Sequence, residues 1–178
     1  SFSNESFSKG SFSKGSWLAG LLLFIYAICF SYAYLLLDTA TGAVILFGSV
    51  QLSIILLSLF LGNRLQLSEW AGVLLAFGGF VYLMLPGLTT PPLAGLALMA
   101  TAGLAWGIYT LKGKGSANPL MDTGYNFLRT LPLLIIVAMV TFNDIHFSGS
   151  GILLAVLSGG LASGIGYTLW YMALGGLT

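Results

Sequence analysis

The chain carries little charge. Only 6% of its 178 residues are Asp, Glu, Lys or Arg, against about 25% in an ordinary soluble domain. Six Lys or Arg and five Asp or Glu cannot coat a water-facing surface on a chain that is 57% hydrophobic. Lipid is therefore the expected solvent for most of the protein. A net charge of +1, with no clustered basic face, excludes nucleic-acid binding as the default reading. Cysteine is almost missing. Cys29 is alone, so no intrachain disulfide can form, and its apolar setting marks it as a small buried hydrophobe. His146 stands beside Asn143 and Asp144 with no second His, no Cys and no close carboxylate pair, so it reads as a solvated connector residue. No metal or cofactor is expected. A Walker lysine loop and a Gly-x-Ser-x-Gly elbow are also absent. Gly113-Lys114-Gly115-Ser116 lacks the upstream glycine of a phosphate loop and follows an apolar run rather than a strand.

What is present is a series of long apolar runs. Six can be drawn: Trp17 to Leu37, Ala43 to Leu61, Trp70 to Leu85, Leu93 to Leu111, Gly124 to Phe142, and Ile152 to Leu174. A helix that crosses a bilayer needs about 20 residues, within about 17–25. Five runs meet that length comfortably and the third is marginal. Barrel strands would alternate apolar and polar residues over about 10 positions, and these runs do not. The spacing predicts an all-α integral membrane protein with six transmembrane helices. Glycines inside the runs, Gly103 and Gly107 among them, would weaken a helix in water. In lipid they let helices approach closely. Turn formers fill each connector, and the connectors are short, so neighbouring helices are expected to run antiparallel.

The cations segregate. Lys9 and Lys14 precede the first run, Arg64 lies between the second and third, and Lys112 and Lys114 lie between the fourth and fifth. In a six-span chain these segments share one face, and Arg129 sits a turn or two into the fifth run from that face. The opposite connectors hold Asp38, Asp144 and His146. Positive charge favours the cytoplasm, so the N-terminal segment is expected there. That segment, residues 1–16, repeats a pentapeptide: Ser1-Phe2-Ser3-Asn4-Glu5, Ser6-Phe7-Ser8-Lys9-Gly10, Ser11-Phe12-Ser13-Lys14-Gly15. It has no initiator methionine and no cleavage site before a run of full spanning length, so it does not read as a signal peptide. A flexible polar connector within a longer protein is expected instead.

Inside the runs the ionisable inventory shrinks to Arg129. A long arginine near a span end can reach the headgroups, and anchoring outweighs an anion-binding or packing role. Gln51, near the middle of the second run, needs a hydrogen-bond partner in hydrocarbon. It either bonds a neighbouring helix or faces a wet cavity. Asn126 poses the same alternative nearer the interface. Trp17, Trp70 and Tyr82 sit nearer span ends, where belt anchoring explains most such residues. Tyr26, Trp106, Tyr109, Tyr167 and Trp170 lie among the other aromatics of the runs. Trp106 and Tyr109, three apart, share a helix face. Packing explains such residues more often than binding does, yet tyrosine and tryptophan can also stack on an organic solute and hydrogen-bond it.

Gly62-Asn63-Arg64-Leu65, followed by Trp70-Ala71-Gly72-Val73-Leu74-Leu75 and Gly78-Gly79, resembles a stretch of the EamA-type transporters of the drug/metabolite transporter superfamily. Ala105-Trp106-Gly107-Ile108-Tyr109-Thr110 resembles the opening helix of that family's second repeat. Asn126-Phe127-Leu128-Arg129 and Gly166-Tyr167-Thr168-Leu169-Trp170-Tyr171-Met172-Ala173-Leu174 are similar to parts of the next two helices. The four segments occur in the family's order, between about residues 17 and 178. Each motif alone is weak. Asn63 stands where the family often has Glu, so nothing that carboxylate does in relatives carries over.

The resemblance implies ten helices in two inverted five-helix repeats, of which this chain supplies helices three to eight. Residues 17–86 would be the last three helices of the first repeat, 87–92 a Pro-rich linker, and 93–178 the first three helices of the second. It also implies alternating access in a bacterial inner membrane, with export of a small organic solute expected and no enzymatic activity. Gln51, Trp106, Tyr109, Tyr167, Tyr26 and Trp170 become cavity candidates on that map. Arg129 is a cytoplasmic-side anchor or anion contact. The expected partners are the solute and the lipid bilayer. Nothing in the sequence sets an oligomeric state, and the reading is compatible with a monomer. Two rival readings remain open. A membrane-embedded enzyme would have to use Glu69, Asp122, Arg129, Asp144 and His146, which this topology divides between two faces. A non-transporting helix bundle is the other. The expected orientation has a direct check. Cysteines placed at Lys9 and Lys14 in spheroplasts should resist an impermeant maleimide until the membrane is broken, and immediate labelling would reverse the topology.

Overall fold

The computed structural model describes residues 15–62, 66–87, 90–113, 116, 118–144, 147–163, 165 and 166. Among them every regular element is helical. Helix α1 spans Trp17–Ala33. Ser16 caps it from an extended conformation, its Oγ accepting the Ala19 N–H at 3.1 Å. The expected run to Leu37 ends as a tight turn, in which Leu35 and Leu36 donate to the carbonyls of Tyr32 and Ala33. Helix α2, Thr39–Phe60, starts earlier than hydropathy suggests. Thr39 to Gly42, expected as connector, form its first turn, with the Gly42 N–H donating to the Asp38 carbonyl at 2.8 Å. After α2 the chain turns at Gly62, whose φ of +87° is a left-handed conformation that glycine adopts freely.

Helix α3, Leu67–Met84, opens with the Gln66 N–H on Glu69 Oε2 at 2.6 Å. Helix α4, Leu93–Gly113, follows Pro91-Pro92. Helix α5 spans Pro119–Val140, not from Gly124 as the apolar run suggests. Its start is set by capping rather than hydropathy. Asn118 Oδ1 accepts the Met121 N–H at 3.2 Å, and Pro119 occupies the position where a missing N–H costs nothing. Helix α6, Gly149–Val156, begins at the Ser148 cap and continues as a wider π-type coil over Leu157–Ser163. The rest of the sixth expected span lies outside the described residues, as do the pentapeptide repeats over residues 1–14.

Among the described residues three helices are long and apolar enough to cross a membrane: α2, α4 and α5, at 22, 21 and 22 residues. Helices α1 and α3, and α6 with its continuation to Ser163, are shorter apolar helices. The six-span reading therefore has three members of full length among the described residues. Much of the outer surface is apolar. Leu75, Phe60, Tyr82 and Val140 are each more than 70% exposed. Such a surface suits hydrocarbon, not water.

Helix α4 is the hub, packed against both α1 and α2. Its contact with α2 is a seam of small residues. A Cβ at Gly103 would lie 2.5 Å from Ser49 Cβ and 3.0 Å from the Leu46 carbonyl oxygen. A Cβ at Gly107 would overlap Ser53 Oγ and sit 3.4 Å from the Val50 carbonyl oxygen. Gly103 and Gly107, one turn apart, thus face Ser49 and Ser53, also one turn apart. The Ser53 hydroxyl is satisfied inside its own helix, on the Val50 carbonyl at 2.8 Å. On another side α4 meets α1, with Gly95 against Leu36 and Leu37 and Trp106 against Tyr26. Met99 and Ala102, both at 0% exposure, fill the core with Ala33, Leu37 and Leu46.

These contacts fix the directions. Along α2 and α4, Gly42, Ser49 and Ser53 meet Met99, Gly103 and Gly107 in the same order, so the two helices are parallel. Helix α1 runs antiparallel to α4, since its start meets the later part of α4 and its end the earlier part. Helix α5 runs parallel to α1, Gly15 and Gly20 meeting Asp122 and Arg129. The start of α1, the end of α2, the end of α4 and the start of α5 therefore share one end of the bundle. Replacing Gly103 by Leu should destabilise the protein by about 1–3 kcal/mol, because backbone atoms across the seam cannot yield cheaply. Equal unfolding midpoints in detergent for wild type and Gly103→Leu would contradict the seam.

Candidate functional site

Two places in the bundle combine polar groups with an apolar wall. The first is where the start of α1 meets α4 and α5. The two N–H groups just ahead of α1 have no partner in their own helix, and α5 supplies them. The Gly15 N–H donates to Asp122 Oδ1 at 2.9 Å, and the Ser16 N–H donates to Asn126 Oδ1 at 3.0 Å. Asp122 Oδ2 accepts the Ser116 hydroxyl at 2.6 Å, which fixes the carboxylate. Gly15 turns the chain into this contact at φ +63°. Asn126 is buried, and its Nδ2 donates to the Tyr109 hydroxyl, which donates in turn to Thr123 Oγ1; each of these distances is 3.5 Å. Asn126 therefore bonds to both α1 and α4.

Arg129 belongs to the same junction. Because α5 starts at Pro119, its Cα lies about 15 Å along the helix, near the middle, not two turns from the end. Its side chain runs back along the helix, as helical side chains do. The guanidinium carbon lies 5.7 Å from the centre of the Trp17 ring, within cation–π range. Nη1 is 2.9 Å from where a Cβ on Gly15 would be. The charge therefore sits at the level where α1 begins. The cation also binds at this level by a ring contact that was not legible from sequence spacing.

An aromatic row leads away from this junction between α1 and α4. Tyr109 and Trp106 have ring centres 5.6 Å apart, and Trp106 and Tyr26 4.7 Å. Tyr26 continues to Phe30 at 5.4 Å, and Phe30 meets Tyr34 edge-on at 4.8 Å. Three of the aromatic cavity candidates are thus brought together, half-buried, with Asn126 and Thr123 at the polar end of the row. The rings pack on one another, which satisfies the packing reading. Their exposed remainder could also stack on a planar solute.

Gln51 lies elsewhere. It lines an open cleft of about 250 Å³ between α2 and α3, with Phe47, Val50, Val73, Ala76, Phe77 and Phe80. Phe47 and Phe80 meet edge-on at 5.4 Å across it. Its walls are apolar apart from the amide. The structure therefore does not gather all the candidates into one place. Tyr167 and Trp170 lie outside the described residues. Sequence reasoning passed over Asp122 as a positioning group, because it was assigned to a connector. The Asn118-Pro119 pair, a helix-start signal, would have placed it in the first turn of α5. Of the residues named for a membrane-embedded enzyme, Glu69 lies in the first turn of α3 and Asp122 in the first turn of α5. Among the described residues no group of three His, Cys, Asp or Glu could hold a metal ion.

The chain is similar to the uncharacterized protein PA1977 of Pseudomonas aeruginosa, with 48% identity over 162 residues. The match covers 91% of this chain and 56% of that protein, so the chain spans about half the length of the curated relative it matches. No family model and no solved structure matches the chain. The two polar sites differ in what their loss should cost. Asn126→Ala removes the side-chain acceptor of the Ser16 N–H and should lower stability by about 0.5–1.5 kcal/mol. Gln51→Leu should be neutral or slightly stabilising. A chemical-denaturation series in detergent that ranks the two variants the other way would overturn the assignment.

Proposed function

We propose that this chain forms part of a multi-pass membrane carrier of the EamA type for a small organic solute. It would act by alternating access in the bacterial inner membrane, with the N-terminal segment in the cytoplasm, and export is its proposed direction. The observation that carries the reading is the row Tyr26–Trp106–Tyr109 ending on Asn126 and Thr123. A carrier must hold its solute firmly enough to select it and loosely enough to release it. Aromatic faces beside neutral hydrogen-bonding groups do that without a fixed charge to neutralise. The apolar exterior and the ordered family-like segments support the same reading. In an inverted-repeat carrier the binding site lies near the bilayer midplane, where the repeats meet. The aromatic row, running from the middle of α1 to the later part of α4, is in a position to contribute to such a site.

The proposal predicts solute flux by the full reading frame in proteoliposomes. Uptake should be screened with radiolabelled amino acids and small aromatic metabolites, and Trp106→Ala should lower flux at least about tenfold, the effect of about 1.4 kcal/mol. No flux with any of these solutes, together with hydrolytic or transfer activity, would replace the carrier by a membrane enzyme. No flux and no catalysis would leave a structural bundle.

A further inference from the structure

The junction between α1 and α5 differs in kind from the seam between α2 and α4. We infer that it is a separable gate, latched by Asp122 and Asn126, that closes one end of the solute path; this rests on the carrier reading above.

Three observations lead there. First, the described close contacts of α1 with α5 lie at one end. Gly15, Ser16, Trp17 and Gly20 meet Asp122, Asn126 and Arg129. Past Thr130 no residue of α5 is buried, while α1 continues along α4 to Gly95. The buried residues of α5, Thr123, Asn126 and Thr130, thus all lie in its first twelve positions. Second, the latch is made of bonds that water can replace. The N–H groups at a helix start can be met by solvent as well as by a side chain, and Trp17 at the junction is 68% exposed. The α2–α4 seam is a close fit of small residues, which only separation of the helices can undo. The weaker joint is where a bundle built on α1, α2 and α4 would yield, with α5 as the moving part. Third, the closed state is sterically exact at Gly20. A Cβ there would lie 3.0 Å from Arg129 Cβ and 3.3 Å from the Asn126 carbonyl oxygen, so any larger side chain would wedge the gate open.

The test is a distance measurement on the full reading frame in lipid nanodiscs. Cys29 is replaced by Ser, and nitroxides are placed at Leu18 and Leu128, both exposed. The wild type should show a dominant short distance. Asn126→Ala should raise the long-to-short ratio by about 2- to 12-fold, the range for one lost hydrogen bond. Gly20→Leu should shift it the same way by a different route. Ser116→Ala, which only loosens the Asp122 carboxylate, serves as a third variant should either of the others fail to fold. A single distance, unchanged in every folded variant, overturns the gate. Flux with that single distance leaves the carrier reading standing without it. Two distances without flux of any solute keep α1–α5 as a separable joint but overturn its role as a gate, together with the carrier reading.

Discussion

The fold depends on how closely α2 and α4 approach. Gly103 and Gly107 leave no side chain between the helices, and Ser49 and Ser53 leave almost none. In hydrocarbon no hydrophobic force drives two apolar helices together, because lipid tails are as apolar as leucine. What remains is contact at short range. The seam supplies it and places α4 deep enough to serve two neighbours at once. The buried Met99 and Ala102, and the stacking of Trp106 on Tyr26, follow from that depth. Helices without such a partner, α3 and α6, present mostly exposed side chains.

Polar groups are distributed by the same logic. The chain has few, and several of the described ones gather where a helix end leaves backbone groups unmet. Asp122, Asn126 and Ser116 all serve one such end. Tyr109 joins them because its hydroxyl must find a partner wherever its ring packs. The result is a junction in which the residue that joins the helices also borders the aromatic row. Asn126 holds α1 in place and also forms the polar end of the aromatic row.

Much of the helical character was legible in the sequence, because long apolar runs without alternation leave little choice. The seam glycines were legible as contact residues for the same reason. Their partners, Ser49 and Ser53, were not, since serine inside an apolar run has no marker for what it faces. Helix starts were misjudged wherever capping and hydropathy disagreed. The first turn of α2 holds Thr39, Thr41 and Gly42, and the start of α5 holds Pro119, Asp122 and Thr123, so neither joins an apolar run. Hydropathy alone therefore placed Asp122 in a connector and Arg129 near a helix end. Trp106 and Tyr109 could be paired from spacing, but Tyr26 joins them only through the antiparallel packing of α1 and α4. Gln51 could not be assigned to the α2–α3 cleft, because partner choice over long sequence separation is a property of topology.

The capping of α1 also bears on how the protein is made. The residues that meet its leading N–H groups lie 107 and 110 positions downstream. At ribosomal speeds of about 5–20 residues per second, that separation is about 5–20 s of synthesis. For that time the start of α1 is without its α5 partners, even once α4 has arrived to pack along it. Its start becomes complete only when α5 is delivered. Quality control that inspects unmet polar groups in the membrane would thus have a defined interval in which to see this chain as unfinished.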